Sequence, residues 1–334
     1  LNNNELSQIQ KINSHGFSSK TLNITYPLSS DESVIKAVLT EIFLEADQAI
    51  DNGFDFIILS DRETNHEKAG IPSLLAVSSM HHHLVKNGKR SRIGLIVESG
   101  DAREVHHFAT LIGYGADAVN PYVAIDTIAS LRDRSVLSDQ SNRSNQTLLI
   151  KNYIRAIDTG MTKIMSKMGI STVQSYRGAQ IFEAVGLGRN FVKEYFKGTS
   201  SKISGVGLEV IAKEVNIRHG KAWPQRKSGD PTLESGGEYQ WRRDGEHHLF
   251  NPETVFKLQH ATQSGQYSIF KEYTAAIDNQ SKSRATIRGL LKLKHCTSIP
   301  IETVESVEKI MKRFNSGAMS LGSISQEAHE TLAI

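Results

Sequence analysis

The sequence predicts an α/β layered fold for roughly its first two hundred residues, with parallel strands joined by helical crossovers. Three observations carry this. Short apolar runs bounded by turn residues recur at "FDFIILSD", "RIGLIVESG" and "ADAVNPYVA". Between them lie stretches with apolar residues at helical spacing, each long enough for several turns. Glycine, proline or asparagine punctuates nearly every junction. Strands separated by helices pair in parallel through right-handed crossovers, which gives a layered sheet or a barrel.

The elements follow in order. "TLNITYPL" (21–28) alternates and is β-branched, so it reads as a strand. "ESVIKAVLTEIFLEADQAIDNG" sets Val34, Ile35, Val38, Leu39, Ile42, Phe43 and Ala46 at helical intervals and stops at Gly53. "FDFIILSD" is the next strand. "IPSLLAVSSMHHHLVKNG" is a helix with Pro72 in its first turn and Asn87-Gly88 as its stop, and its inward face is expected at Leu74, Val77, Ser78, His81, Leu84 and Val85. "RIGLIVESG" is another buried strand. In "DAREVHHFATLIGYG" the spacing of Asp101 and Glu104 predicts a capping box, with Val105, Phe108, Ala109 and Ile112 inward and a stop at Gly113 or Gly115. "ADAVNPYVA" reads as one strand.

The polar stretch 131–149 is expected to loop over the surface within this domain. "NYIRAIDTGMTKIMSKMG" is a helix, and "ISTVQSYRGAQIFEAVGL" reads as a strand turning into a helix. The Ser- and Gly-rich "FKGTSSKISGVG" (196–207) marks the expected boundary, giving domains 1–203 and 204–334. Beyond it, the charged, aliphatic-poor segment 218–250 should run over a surface. "NPETVFKLQHATQSG" and "QYSIFKEYTAAIDNQS" are short amphipathic helices. "IPIETVESVEKIMKRFNSG" reads as a helix, with Glu302, Glu305 and Glu308 early and Lys309, Lys312 and Arg313 late to suit its dipole. "AMSLGSISQEAHETLAI" is a turn entering a last helix.

Composition excludes several function classes. Lys plus Arg number 39 against 36 Asp plus Glu, a net charge of +3, so no basic face for nucleic acid is implied. With 38% apolar and 22% charged residues the chain reads as soluble and globular, and its apolar runs are far too short to span a bilayer. A single cysteine, Cys296, excludes an internal disulfide and any site built on several thiolates, and fits a reducing, cytoplasmic setting. No charged-then-apolar leader is visible, and both ends read as cut from a longer polypeptide.

Candidate chemistry is sparse. His81, His82 and His83 fan around their helix at about 100° per residue, so they cannot share one ion. A two-helix metal site joining His81 or His83 to His107, with Glu98 at a strand end, is the sharper reading; structural or interface histidines on helix flanks are the preferred one. "SGVG" and "VGLGRN" lack the glycine order of a dinucleotide loop, and no P-loop, G-x-S-x-G or H-E-x-x-H is present. Cys296 follows Lys294 and His295 but has no positioned base, so it is assigned no catalytic role. In "NSGAMSLGSISQEAH" (315–329) the small residues Gly317, Ala318, Ser320, Gly322 and Ser323 permit close approach of a flat ring, or simply a tight turn into a helix.

Several long runs resemble glutamate synthase. "ILSDR", "IPSLLAVSSMHHHL", "RIGLIVESGDAREVHHFATLIGYGADAVNPY" and "SYRGAQIFEAVGL" are similar to the central domain of its large subunit. "GGEYQWRRDGEHHLFNPETVFKLQHA" and "RFNSGAMSLGSISQEAHETLA" resemble the beginning of its flavin-binding synthase domain. The resemblance implies an enzyme that makes two glutamates from glutamine and 2-oxoglutarate. An amidotransferase domain releases ammonia, and FMN, fed by a [3Fe-4S] cluster and by an NADPH-oxidising small subunit or ferredoxin, reduces the imino intermediate. It implies a rudimentary β/α-barrel-like central domain without cofactor for 1–203, linking the two catalytic domains. It implies an incomplete N-terminal part of a TIM-barrel FMN domain for 204–334, with Ala318, Met319, Ser320 and Gly322 near the flavin of the whole enzyme. No catalytic residue, metal or cofactor is expected in the segment itself. The competing reading is a self-contained FMN-dependent α/β oxidoreductase that uses the "GAMSLGS" turn.

Overall fold

In chain order the N-terminal part begins α1 (Asn3–Gln10), β1 (Asn13–Ser14), β2 (Phe17–Asn23), β3 (Thr25–Pro27), α2 (Glu32–Asp51), β4 (Phe56–Ser60), β5 (Lys68–Gly70), α3 (Ser73–Lys86), β6 (Gly94–Glu98), α4 (Val105–Gly113), β7 (Ala118–Asn120) and α5 (Tyr122–Asp133). The computed structural model describes residues 1–14, 16–133, 146–224, 235–279, 285–291 and 294–333. One sheet runs β1-β2-β4-β6-β7; β1 is antiparallel to β2 and the other pairs are parallel. β3 pairs antiparallel with β5 in a separate ribbon.

Successive parallel strands are neighbours, so every right-handed crossover steps in the same direction and lays its helix on the same face. Leu22, Ile57, Leu59, Leu95, Val97 and Val119 point to that face, in one core with Ile35, Leu39 and Ile42 of α2, Leu75, Met80 and Leu84 of α3, and Phe108 of α4. The intervening residues Ile58 and Ile96 point to the other face, where Leu6 of α1 covers them. This is the two-residue period of a strand buried on both sides. Each fully buried Leu or Ile contributes about 1.5 to 3 kcal/mol.

Local chemistry sets the element ends, and here the structure corrects some expectations. Asp31 caps α2 by accepting from the Ser33 N–H at 2.9 Å. α3 starts at Ser73 after Pro72 and stops before Gly88, whose φ of 66° needs glycine. Its buried arc is wider than expected because the helix of residues 189–195 covers a further side: Met80 is fully buried, and the Ser78 hydroxyl donates to the Tyr195 carbonyl. Val85, expected inward, is exposed. The capping box of α4 is not the expected pair of Asp101 and Glu104 but Glu104 with His107, Glu104 being the N-cap residue. Helix geometry begins at Val105, and the His107 ring accepts the backbone N–H groups of Arg103 and Glu104. "ADAVNPYVA" is not one strand either: the strand stops at Asn120, and Pro121 leads into α5 because proline suits a helix entry.

The unit continues with α6 (Gln146–Met168), α7 (Val173–Tyr176), β8 (Glu183–Leu187), α8 (Arg189–Tyr195), β9 (Ser200–Val206) and α9 (Leu208–Ala222). The ends of the polar stretch 131–149 belong to α5 and α6, and 134–145 lie outside the described residues. In 170–187 the order is helix then strand, the reverse of the expectation. Thr172 caps α7 by accepting from the Ser175 N–H, and Tyr176 is fully buried with its hydroxyl donating to the Ala109 carbonyl. "EAVGL" then pairs in parallel with β9, which spans residues 203 and 204.

The chain divides into two compact units, Leu1–Gly229 and Asp230–Ile334. In the second, α10 (Pro252–Ser264) is capped by Asn251 and stopped by Gly265, and α11 (Tyr267–Asp278) packs against it. The helix expected over 299–317 shrinks to a 3₁₀ turn at Ile301–Thr303 and α12 (Val307–Met311). Val307 and Met311 are each 66% exposed, so no tertiary burial supports a longer helix. α13 (Gln326–Ala333) closes the described chain.

Candidate functional site

The carboxyl ends of the parallel strands carry a row of polar residues in register: Asn23 opposite Ser60, Ser60 opposite Glu98, and Glu98 opposite Asn120. Each ends an apolar run, where the backbone turns from strand to crossover. Sheets of this topology place ligands at this edge.

Glu98 is the centre of the row and is 3% exposed. One of its carboxylate oxygens accepts from the Ser60 hydroxyl at 2.6 Å and the other from the Arg62 guanidinium at 2.5 Å. The Arg62 guanidinium lies 4.2 Å over the Tyr122 ring, so its charge is shared between a carboxylate and an aromatic face. Asp61, the residue after Ser60, is 6% exposed. Both its oxygens accept from the Gly100 N–H, at 3.0 and 2.9 Å, and the Tyr122 hydroxyl also donates to it. Burial pushes the Asp61 carboxyl up to about 6 against the opposing pull of the Gly100 bond, with nearby Asp101 and Glu98 adding repulsion. The Tyr122 hydroxyl is raised, first by burial and then by Asp61. Asn120 is fully buried; its amide donates to the Leu1 carbonyl and to Asn3, which fastens α1 to the rim.

Beside this row a cavity of about 370 Å³ opens between the strand ends and α9, lined by Asp61, Thr64, Gly100, Tyr122, Arg218 and Trp223 among others. His219 stacks on Trp223 at 4.5 Å and bonds to the Asn65 carbonyl at 2.7 Å, holding α9 against the loop after β4. The arrangement can hold a proton on Asp61 in mildly acidic solution, up to about pH 6. It pairs no nucleophile with a base, because nearly every polar group is spent on a neighbour in the rim.

The five sequence-predicted histidines have separate environments. The His81 ring accepts from Arg90 at 3.1 Å, and burial first, then Arg90, push its pKa down to about 4. His82 meets His81 edge to face at 5.4 Å. His83 stacks on Phe43 at 4.5 Å and bonds to Asp47 at 2.9 Å. His106 meets the edge of Phe182, and His107 caps α4. Glu98 belongs to the rim, and the structure brings no three His, Cys, Asp or Glu groups into metal-binding proximity among the described residues.

Ala318, Met319, Ser320 and Gly322 lie on an exposed turn. The Ser323 N–H donates to the Ser320 carbonyl at 3.0 Å with Gly322 at φ 85°, the geometry of a type II turn. Side chains added at Gly317 or Gly322 would meet nothing within 4 Å, so this turn alone encloses no planar ring. Cys296 is exposed. Sequence reasoning missed Asn23, Ser60, Asp61, Arg62, Asn120 and Tyr122, and met Glu98 only as a possible histidine partner. The available signal was the polar residue closing each strand run, in "LSDR", "VESGD" and "VNPY".

A family model described as the glutamate synthase central domain matches residues 1–188, and a second, described as a conserved region in glutamate synthase, matches residues 248–334. The chain belongs to the glutamate synthase family. The glutamate synthase [NADPH] large chain of Bacillus subtilis is 48% identical over 297 residues, covering 89% of this chain and 19% of that protein. The glutamate synthase [NADH] of Saccharomyces cerevisiae is 42% identical over 326 residues, covering 94% of this chain and 15% of its own length. The ferredoxin-dependent glutamate synthase of Pyropia yezoensis is 37% identical over 321 residues, covering 94% and 21%. The chain thus spans about a fifth or less of these glutamate synthases. A flavocytochrome b2 variant overlaps 41% of this chain and 32% of its own at TM-score 0.33 and 11% identity, too weak to carry inference. Among the described residues no helix is long and apolar enough to cross a membrane.

Proposed function

We propose that this chain is the connecting segment of a glutamate synthase, joining an amidotransferase part to an FMN synthase part, and that it is inactive alone. The observation that carries this is the pairing of the two family matches, central domain over 1–188 and conserved synthase region over 248–334, within a chain that covers 15 to 21% of these relatives. The junction between the two parts falls in the stretch between the matches. The rim agrees with a positioning role: Glu98, Arg62, Asp61 and Tyr122 bind one another, which makes the strand ends rigid. The sequential strands with helices on one face support the reading of a rudimentary β/α barrel.

The whole enzyme's reaction would convert glutamine, 2-oxoglutarate and reductant to two glutamates in the cytoplasm, with NADPH, NADH or ferredoxin as the electron source. A rigid spacer serves such a reaction by fixing the path between centres, since released ammonia is diluted and protonated in bulk water. Ala318, Met319, Ser320 and Gly322 would face the flavin once the rest of that part is present; the open turn here does not fit a flavin by itself. One thiol cannot make a [3Fe-4S] cluster, so its ligands lie on other segments. The test is direct. The purified chain, given glutamine, 2-oxoglutarate and reduced ferredoxin or NADPH, is expected to form no glutamate and to show no flavin absorbance. Turnover, or flavin bound near one per chain, would establish the self-contained oxidoreductase instead.

A further inference from the structure

We propose that a cleft among α2, α3 and α8 binds a small oxyanion, the phosphoryl or carboxylate group of a metabolite. The cleft has a volume of about 480 Å³ and is lined by Phe43, Ser79, His82, Lys86, Lys193 and Lys197 among others. Three exposed lysines therefore line one concavity, and none of them forms an ion pair among the described residues. The only acid in its lining, Glu194, is bonded by the Tyr195 hydroxyl and is felt by Lys36.

A second observation is independent of the lysines. Among the described residues the Ser79 hydroxyl, on a residue 5% exposed, has no hydrogen-bond partner, and neither has the buried Nε2 of His82. Buried polar atoms are normally satisfied, so two orphans in the wall of one cleft mark a place for a partner. A hydroxyl and a ring N–H are donors, and lysine ammonium groups are donors with charge, so the complementary partner is an acceptor-rich anion. The neighbouring imidazoles are already used, His81 by Arg90 and His83 by Asp47, which leaves the His82 Nε2 without a bonded partner among the described residues. Burial first and then Lys197 hold the His82 pKa down, which favours the neutral ring; in the tautomer protonated at Nε2 it would donate to the anion.

The proposal stands apart from the reading as a connecting segment, and its test does not use turnover. The full chain is titrated with inorganic phosphate and separately with succinate at constant ionic strength, by calorimetry and by ¹H–¹⁵N spectra of the histidine rings. One anion is expected to saturate at one per chain and to move the His82 Nε2 resonance; the tighter of the two identifies the head group. Lys193→Gln with Lys197→Gln should weaken binding by about ten-fold or more with an unchanged melting midpoint, while Lys163→Gln on α6 should not. Absence of saturation with both anions overturns the proposal. So does binding that the double variant leaves intact, or that potassium chloride mimics.

Discussion

Asp61→Asn should remove a pH dependence that the rim builds into folding. The Asp61 carboxyl sits at about 6 in the folded chain against an ordinary 3.8, so the folded state holds its proton more tightly than the unfolded one. That contribution is fully present below 3.8 and is lost as the pH rises through about 6. The gap corresponds to about 3 kcal/mol, the free energy by which burying the ionised carboxylate opposes folding at neutral pH. The substituted amide carries no charge to desolvate, and its oxygen can still accept from the Gly100 N–H. Urea unfolding of both proteins from about pH 4.5 to about pH 8 measures the difference. The variant should gain on the wild type by about 2 to 3 kcal/mol across that range, with most of the gain arriving before pH 7. A difference that stays flat with pH would refute the reasoning, because Asp61 would then bind protons equally in the folded and unfolded states.

Other perturbations test the packing. Gly115 has φ 122°, and a Cβ there would lie 2.4 Å from the His81 Nδ1, so Gly115→Ala should destabilise by more than about 2 kcal/mol in thermal or urea unfolding. Adding His81→Ala to it should recover the steric share and leave the backbone share, giving a non-additive double-variant cycle. Met80→Ala, at a side chain with no exposure between the sheet and the helices, should cost about 2 to 5 kcal/mol through the cavity it leaves, read from the same unfolding curves.

The sequence made visible those elements whose signals are local. The helix of 32–51 shows its period and its stop near Gly53, and that of 252–264 shows its amphipathic pattern. What escaped depends on contacts distant in the chain. "SYRGAQIFEAVGL" becomes helix and then strand because Tyr176 reaches Ala109 and because β9 supplies a partner for "EAVGL". The run after Pro300 has charges arranged for a long helix but nothing to bury against, and propensity alone does not sustain it. The rim was hidden for a related reason. Asn23, Ser60, Glu98 and Asn120 are dozens of residues apart, and only strand register aligns them. Single polar letters after apolar runs look like ordinary strand ends until the pairing is known.

α1 occupies the side of the sheet that a rolled-up arrangement would turn into its lumen. Leu6 rests on Ile58 and Ile96 there, so residues 3–10 fill space that an open interior would need. Engineering a ligand chamber into this scaffold would therefore start with deletion of that plug.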